Sequence, residues 1–278
     1  MKNKYSTILL LIAAIMMVFV MRTRLASNVT MPRTFEIFDI LAVAGALFVL
    51  MKGHRSLRRQ DVISALVLGL VIGVGMMFAT LFSPYPFFGV VRSNAGQAGV
   101  RGILTFTAAL GGLAIMRLGG PVQFHAANGS WREMSQGVLV GLTIGLPLAV
   151  VNVFALQFTQ GRPVNWQSPI ATLLDALQPG IVEEIIYRFV LWGLLWLVLR
   201  NSLPTQAAWL AGLLATLIHS FSHFDELFVQ SPLMGLGMGA LLTLLWGLPL
   251  LTLTRRRGLE SALAFHWIQD VARFLAGF

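Results

Sequence analysis

The sequence of 278 residues contains no cysteine and few charged residues. The absence of cysteine excludes a disulfide framework, a thiolate zinc site, a thiol nucleophile and lipidation of a cysteine side chain. Any catalysis must therefore use oxygen or nitrogen groups. Only 11% of the residues are charged, whereas 56% are hydrophobic and the mean hydropathy is +0.78. A composition this apolar excludes a soluble globular domain and predicts an all-α, polytopic transmembrane helical bundle.

The charge that is present is mostly basic, with a formal net charge of +9. In a soluble protein such an excess would indicate nucleic-acid binding. Here the lysines and arginines cluster between apolar segments, where membrane topology and anionic lipid account for them. We therefore expect the lipid bilayer, and no nucleic acid, as a partner.

Nine apolar segments are long enough, or nearly long enough, to cross a bilayer, which predicts about eight or nine helices. The segment at 37–51 is short enough to be re-entrant or interfacial instead. The segments cover 5–21, 37–51, 62–83, 99–116, 137–156, 170–199, 207–222, 232–253 and 259–277.

The distribution of basic residues predicts the orientation of the chain in the membrane. Twelve lysines and arginines lie in one set of alternate loops, beginning with Lys2 and Lys4, and six lie in the opposite loops. Arg22 and Arg24 follow the first apolar run directly and disfavour its cleavage as a signal peptide. We expect an uncleaved first span and a cytoplasmic N-terminus. With no visible organelle signal, a multi-pass protein of a bacterial plasma membrane is favoured.

A polar stretch at 118–136 divides the chain. We expect residues 1–134 to form N-terminal transmembrane scaffold spans without a buried ionisable cluster. Residues 135–278, which hold all the candidate site residues, are expected to form the functional core.

Two adjacent carboxylates and an arginine lie in the apolar segment 170–199, at Glu183, Glu184 and Arg188. Charges within a membrane are costly and usually mark a functional site. Glu184 and Arg188, four residues apart, face each other on a helix and neutralise one another. Glu183 points about 100° away at 3.6 residues per turn, which leaves it free to act as a general base in an internal cavity. The competing interpretation is an ion-paired cluster that only holds helices together.

Two further pairs have the spacing that places both members on one helix face: His219 with His223, and His266 with Asp270. Histidines spaced in this way bind zinc or position a proton acceptor, although interfacial histidines bonded to neighbours are commoner. An aspartate one turn from a histidine fixes its tautomer, acts on the same substrate atom, or only closes the bundle. Three such groups on separate helices predict a common wet pocket.

The three groups resemble the ordered motifs of the CAAX protease and bacteriocin-processing (CPBP, or Abi) family. Its members are intramembrane glutamic endopeptidases and include the type II CAAX prenyl proteases. The resemblance covers about residues 135–278. The family's E-E-x-x-x-R is similar to Glu183, Glu184 and Arg188, its F-x-x-x-H to Ala215 through His219, and its H-x-x-x-N or H-x-x-x-D to His266 through Asp270.

The resemblance implies an intramembrane peptide hydrolase in which Glu183 and His219 activate a water molecule that attacks the scissile carbonyl. His266 and Asp270 would stabilise or orient the tetrahedral oxyanion. In the same comparison, Glu184 and Arg188 would hold the helix geometry. The expected partner is a peptide or membrane-protein substrate.

Two positions depart from the family pattern. Ala215 stands where phenylalanine is common, which changes the shape of the pocket more than its chemistry. Asp270 replaces the commoner asparagine, and an ionised aspartate cannot donate a hydrogen bond to an oxyanion. Unless Asp270 is protonated, its role shifts to orienting His266.

Several alternatives fit the same residues. The resemblance favours a site without metal or other cofactor, but Glu183, His219 and His266 also suit a zinc ion that lowers the pKa of its bound water. A proton-coupled transporter could relay protons through the same groups, although no inverted repeat is visible. The third alternative is a non-catalytic membrane scaffold or immunity-type protein.

Overall fold

A computed structural model of the chain describes residues 4–25, 33–80 and 87–278, and within these ranges nearly all ordered structure is helical. Lys2 and the end of the third predicted segment, 81–83, lie outside the described residues. The helices are α1 (Lys4–Leu25), α2 (Thr34–Gly53), α3 (Arg59–Met76), α4 (Asn94–Arg117), α5 (Trp131–Gln160), α6 (Pro169–Asp175), a π-helix (Gln178–Leu191), α7 (Trp192–Leu199), α8 (Ala207–Ser222), α9 (Asp225–Gln230), α10 (Pro232–Leu242), a second π-helix (Thr243–Gly247), α11 (Leu248–Arg257) and α12 (Leu259–Leu275).

Six helices in the described ranges are long and apolar enough to cross a membrane, which confirms the predicted all-α transmembrane bundle. Large apolar side chains on their outer faces, such as Phe48, Phe154 and Phe158, are exposed on the protein surface, as lipid contact requires. The six are Tyr5–Arg24, Thr34–Ser56, Arg59–Met76, Asn94–Arg117, Trp131–Gln160 and Pro232–Arg257.

The three segments that carry the predicted site residues are not among these six. They are 169–199, α8 and α12. The π-helix within 169–199 lies at the centre of the bundle, where α2, α4, α8 and α12 all contact it. Apart from Ile181, every residue of this π-helix is buried. The polar residues therefore face neighbouring helices and avoid the lipid.

A stripe of small residues fixes α12 against α5. Gly137, Gly141 and Gly145 recur every fourth residue on α5 and face the backbone of α12 and of Arg257, the last residue of α11. A Cβ at Gly145 would lie 3.0 Å from the carbonyl oxygen of Phe265, so a larger residue would push the helices apart. Small residues at this spacing allow close helix packing in membranes. This contact holds the helix that carries His266.

The N-terminal half contains buried ion pairs, contrary to the expectation that it would hold none. Asp39 on α2 accepts a hydrogen bond of 3.0 Å from Arg101 on α4, and both side chains are buried. Asp61 at the start of α3 pairs with Arg117 at the end of α4. The expectation was wrong because each pair joins two different helices through residues 62 and 56 positions apart in the sequence, a contact that no local spacing reveals.

Asp225, at the start of α9, makes contacts with two other helices. Its carboxylate accepts hydrogen bonds from the backbone N–H of Thr34, at 2.7 Å, and from the Thr34 hydroxyl. It also lies 3.6 Å from Nε of Arg22. The start of α9 is thereby joined to the end of α1 and the start of α2, beside the site described below.

Candidate active site

The Glu183-Glu184 motif lies on a π-helix, whereas the sequence predicted an α-helix. The π-helix begins at Gln178 and contains Pro179, which has no backbone N–H to donate to an i−4 carbonyl. Short π-helical insertions are often found at functional sites. Here the wider turn spans 14 residues and includes Glu183, Glu184 and Arg188, all of them buried.

Gly180 allows this π-helix to approach α12 very closely. A Cβ at Gly180 would lie 2.5 Å from Cα of Trp267, a distance that no real side chain tolerates. Trp267 is the neighbour of His266, so the missing side chain brings His266 up to the two glutamates. This explains the glycine that precedes the motif.

Glu183 and His219 are in direct contact. Oε2 of Glu183 lies 2.9 Å from Nε2 of His219, and both side chains are buried. The Tyr187 ring stacks on the His219 ring, with centroids 4.6 Å apart and an interplanar angle of 21°. The stack fixes the plane of the imidazole, and the hydrogen bond fixes which nitrogen faces the carboxylate.

His266 lies between two carboxylates. Nδ1 is 2.8 Å from Oε1 of Glu184, and Nε2 is 3.2 Å from Oδ2 of Asp270. The first contact has hydrogen-bond geometry, whereas Oδ2 of Asp270 has no hydrogen-bond partner. The other oxygen of Asp270 accepts a bond of 2.7 Å from Arg273. Because an ionised Glu184 can only accept, Nδ1 carries the hydrogen of this bond, and Nε2 is the nitrogen that faces Asp270.

Glu184 and Arg188 lie close together, as the spacing predicts, but they do not form a complete ion pair. Nε of Arg188 is 3.7 Å from Oε2 of Glu184, which is too long for a hydrogen bond. Glu184 bonds to His266 instead. It therefore links Arg188 to an imidazole rather than only neutralising the arginine.

The structure thus brings Glu183, Glu184, His219, His266 and Asp270 into one cluster from three separate segments of the chain. The rings of His219 and His266 have centroids 5.8 Å apart. Ala215, one turn before His219, is fully buried in the core of the helical bundle.

Sequence reasoning missed the contribution of α2. The Phe35 ring lies edge-on to His219, Tyr187 and His223, with centroids 5.7, 5.8 and 4.8 Å away. The Tyr187 hydroxyl donates to the backbone carbonyl oxygen of Phe35 at 3.4 Å, and Asp39 follows Phe35 by one turn of the same helix. An acid inside the apolar run 37–51 was the available signal, because intramembrane acids usually mark function.

His223 joins the cluster from its outer side. Among the described residues, one set has the spacing of metal ligands: the potential ligand atoms of Glu183, His219 and His223 all lie within 4.8 Å of one another. His266, which the sequence offered as the third zinc ligand, is outside this set and faces Glu184 and Asp270.

Comparison with known proteins gives one family. The model of the family described as type II CAAX prenyl endopeptidase, Rce1-like, matches residues 165–272. No curated protein and no solved structure matches the chain. The matched residues include all of the π-helix, α8 and the part of α12 that carries His266 and Asp270. Residues 165–272 therefore match the Rce1-like type II CAAX prenyl endopeptidase family, which confirms the family resemblance seen in the motifs.

Proposed function

We propose that this chain is an intramembrane endopeptidase in which Glu183 and His219 activate a water molecule. The observation that carries the proposal is the 2.9 Å contact between Oε2 of Glu183 and Nε2 of His219, made by buried side chains of two different helices. The match to a family of proteases supports peptidase activity in general. The glutamate and histidine mechanism is our inference from the geometry.

In the first step, Glu183 accepts a proton from a water molecule that His219 helps to orient. The water oxygen forms a bond to the carbonyl carbon of the peptide, and the π electrons of the carbonyl move to its oxygen. The tetrahedral intermediate then collapses, the C–N bond breaks, and the proton held by Glu183 passes to the leaving nitrogen. The products are a carboxylic acid and an amine.

The negative oxygen of the intermediate requires a donor. His266 provides it from Nε2 when the ring is doubly protonated, because Glu184 accepts the Nδ1 hydrogen and the second proton sits on Nε2, on the side of Asp270. Removing one such donor in other enzymes costs about 10²–10³-fold in turnover. Asp270 orients the ring and is itself held by Arg273.

The substrate class that fits this location is a peptide or membrane-protein segment whose scissile bond reaches the centre of the bundle. The name of the matching family refers to CAAX prenyl substrates. For this chain we infer only that the substrate presents a peptide bond that can reach the carboxylate of Glu183.

Replacement of Glu183 with glutamine tests the proposal. The amide keeps the shape of the side chain but cannot act as a base, so cleavage should fall by about 10²–10⁴-fold. The peptides present in membranes with the wild-type chain are compared with those in membranes with Glu183→Gln. A peptide that accumulates only with Glu183→Gln is then used as the substrate in an assay of both purified proteins. Glu226→Gln, on the exposed surface of α9, is the matched control.

A scaffold protein would keep its cellular effect in Glu183→Gln, and neither chain would cleave peptide. Equal cleavage by wild type and Glu183→Gln would show that another residue is the base. In either case the proposed mechanism is wrong.

We further propose that the site opens on the side of the membrane opposite to the N-terminus. The end of α1, the start of α2 and the end of α8 meet beside the site through Arg22, Thr34 and Asp225. The predicted cytoplasmic N-terminus would place this end outside the cytoplasm.

The absence of cysteine makes this orientation directly measurable. Glu226→Cys lies at the site end, and Arg55→Cys lies between α2 and α3 at the other end; both positions are exposed. An impermeant thiol reagent added to intact cells should label Glu226→Cys at once and Arg55→Cys only after permeabilisation. The reverse pattern would place the site on the cytoplasmic side.

A further inference from the structure

The mechanism proposed above leaves one imidazole of the cluster unused. His223 follows His219 by one helical turn, and its ring centroid lies 5.1 Å from that of His219. With Glu183, the two histidines offer three ligand atoms within 4.8 Å of one another. Two imidazoles and one carboxylate are a donor set that binds zinc in known hydrolases.

The dimensions are close to those that a zinc ion requires. Two ligand atoms at 2.0–2.1 Å from a tetrahedral ion are about 3.3 Å apart. Oε2 of Glu183 and Nε2 of His219 are 2.9 Å apart, and no pair in the trio is separated by more than 4.8 Å. Small changes in side-chain torsion would therefore seat an ion.

Aromatic neighbours hold both imidazoles in place. Tyr187 stacks on His219, and the Phe35 ring lies edge-on to His223 at an interplanar angle of 77°. Contacts beyond the ligands that fix ring orientation are typical of metal sites in proteins. Glu183 and His219 are buried, whereas His223 is exposed, which gives an ion a route from solvent.

We propose that Glu183, His219 and His223 bind a divalent transition-metal ion such as Zn²⁺, and that the bound ion stops the metal-free hydrolysis. An ion bound through Oε2 of Glu183 and Nε2 of His219 would exclude the hydrogen bond between the two residues, which uses the same two atoms. A metal would thus occupy the two groups that otherwise activate water. The inhibitory effect rests on the proposed peptidase mechanism, whereas the metal site itself does not.

Metal binding is tested without substrate. Full-length protein is stripped with chelator and titrated with Co²⁺, whose visible absorption reports coordination, and with Zn²⁺ by competition. We expect one ion per wild-type chain. His223→Phe keeps a ring beside Phe35 but removes a ligand, so its affinity should fall by more than about tenfold, since even partners outside the first coordination sphere contribute about 10–100-fold.

His54→Phe is the matched control, because His54 is exposed on the 3₁₀ turn after α2 and far along the chain from the cluster. It should bind the ion as the wild type does. His223→Asn, a smaller change, provides a second test should the phenylalanine disturb folding. Wild-type affinity in both His223 variants, or no binding by the wild type, would overturn the metal site.

The effect on activity is measured as a ratio within each variant, with Zn²⁺ and with chelator. The ratio should be low for wild type and His54→Phe, and near one for His223→Phe at the same Zn²⁺ concentration. A rise in wild-type activity with Zn²⁺ would overturn the inhibitory role. Failure of the Glu183→Gln test would refute the peptidase mechanism and leave the Co²⁺ titration to decide the metal site.

Discussion

Two acid–arginine pairs with fully buried carboxylates differ greatly in their hydrogen bonding. At one end of the bundle, Arg117 bonds both oxygens of Asp61, with Nε at 3.0 Å and Nη2 at 2.5 Å. Arg117 also donates to Oδ1 of Asn128. At the centre, Arg188 comes no nearer to Glu184 than 3.7 Å in its ion-pair contact.

The difference supports the proposal that the Asp61–Arg117 pair is structural and that the Glu184–Arg188 pair belongs to the proposed active site. Oε2 of Glu184 and two nitrogens of Arg188 are buried without a hydrogen-bond partner in the described structure. An unsatisfied buried polar atom costs about 1–3 kcal/mol, and such atoms call for an explanation. The other oxygen of Glu184 accepts a hydrogen bond from His266. Glu184 therefore orients the imidazole, and the unsatisfied atoms of Glu184 and Arg188 lower the stability of the fold.

The largest expected effect comes from breaking the complete pair. Asp61→Ala leaves the largely buried guanidinium of Arg117 without its carboxylate, which should lower the free energy of unfolding by about 3 kcal/mol, the low end for a buried pair because Arg117 is 11% exposed. Peptide turnover per folded molecule should not change. Thermal unfolding in detergent and active-site titration measure the two quantities.

The double variant Asp61→Leu/Arg117→Met is the control for this prediction. Apolar side chains of similar volume can replace a buried ion pair with little loss, so the double variant should be more stable than Asp61→Ala. Equal instability of the two would mean that the pair holds the fold through packing and not through its charges.

A smaller effect on stability and a clear effect on chemistry are expected for Glu184→Gln. The amide can still meet His266 but no longer accepts as a carboxylate, so the orientation of the ring and its tautomer are less well fixed. Loss of such a partner of a histidine costs about 10–100-fold in function. We expect kcat to fall by that factor with little change in KM.

Asp61→Asn is the matched substitution for Glu184→Gln, since it removes one carboxylate charge from the other pair. It should lower stability and leave kcat unchanged. If both variants reduced kcat alike, the contrast between the structural and the functional pair would not hold.

Much of the architecture could be predicted because hydrophobic runs determine it. Each of the nine predicted segments overlaps helical residues in the described part of the chain. The candidate cluster was also predictable, since spacing places His219 beside His223 and His266 beside Asp270 whatever surrounds them.

What sequence reasoning could not supply depends on contacts between distant residues. The π-helix follows from the packing around Pro179 and Gly180 and changes the relative directions of Glu183 and Glu184. The approach of Phe35 and Asp39 to the site arises because α2 contacts the π-helix, which no local pattern encodes. The boundary proposed near residue 134 separates the sequence motifs from the N-terminal spans. It does not separate them in space, because α2 and α4 contact the π-helix.

The smallest effect is expected for Asp270→Asn, which introduces the residue commoner in the family. The remaining Oδ1 can still accept from Arg273, so the local geometry should persist. The new amide can donate to an oxyanion, which offsets the loss of the charge that orients His266. We expect kcat/KM to change by less than about threefold, or ~0.65 kcal/mol in transition-state stabilisation.

Asp270→Leu, which can neither accept nor donate, is the comparison and should lose far more activity. A loss in Asp270→Asn as large as that in Asp270→Leu would show that the charge on Asp270 is essential, and that Asp270 and Glu184 together hold His266 as a cation.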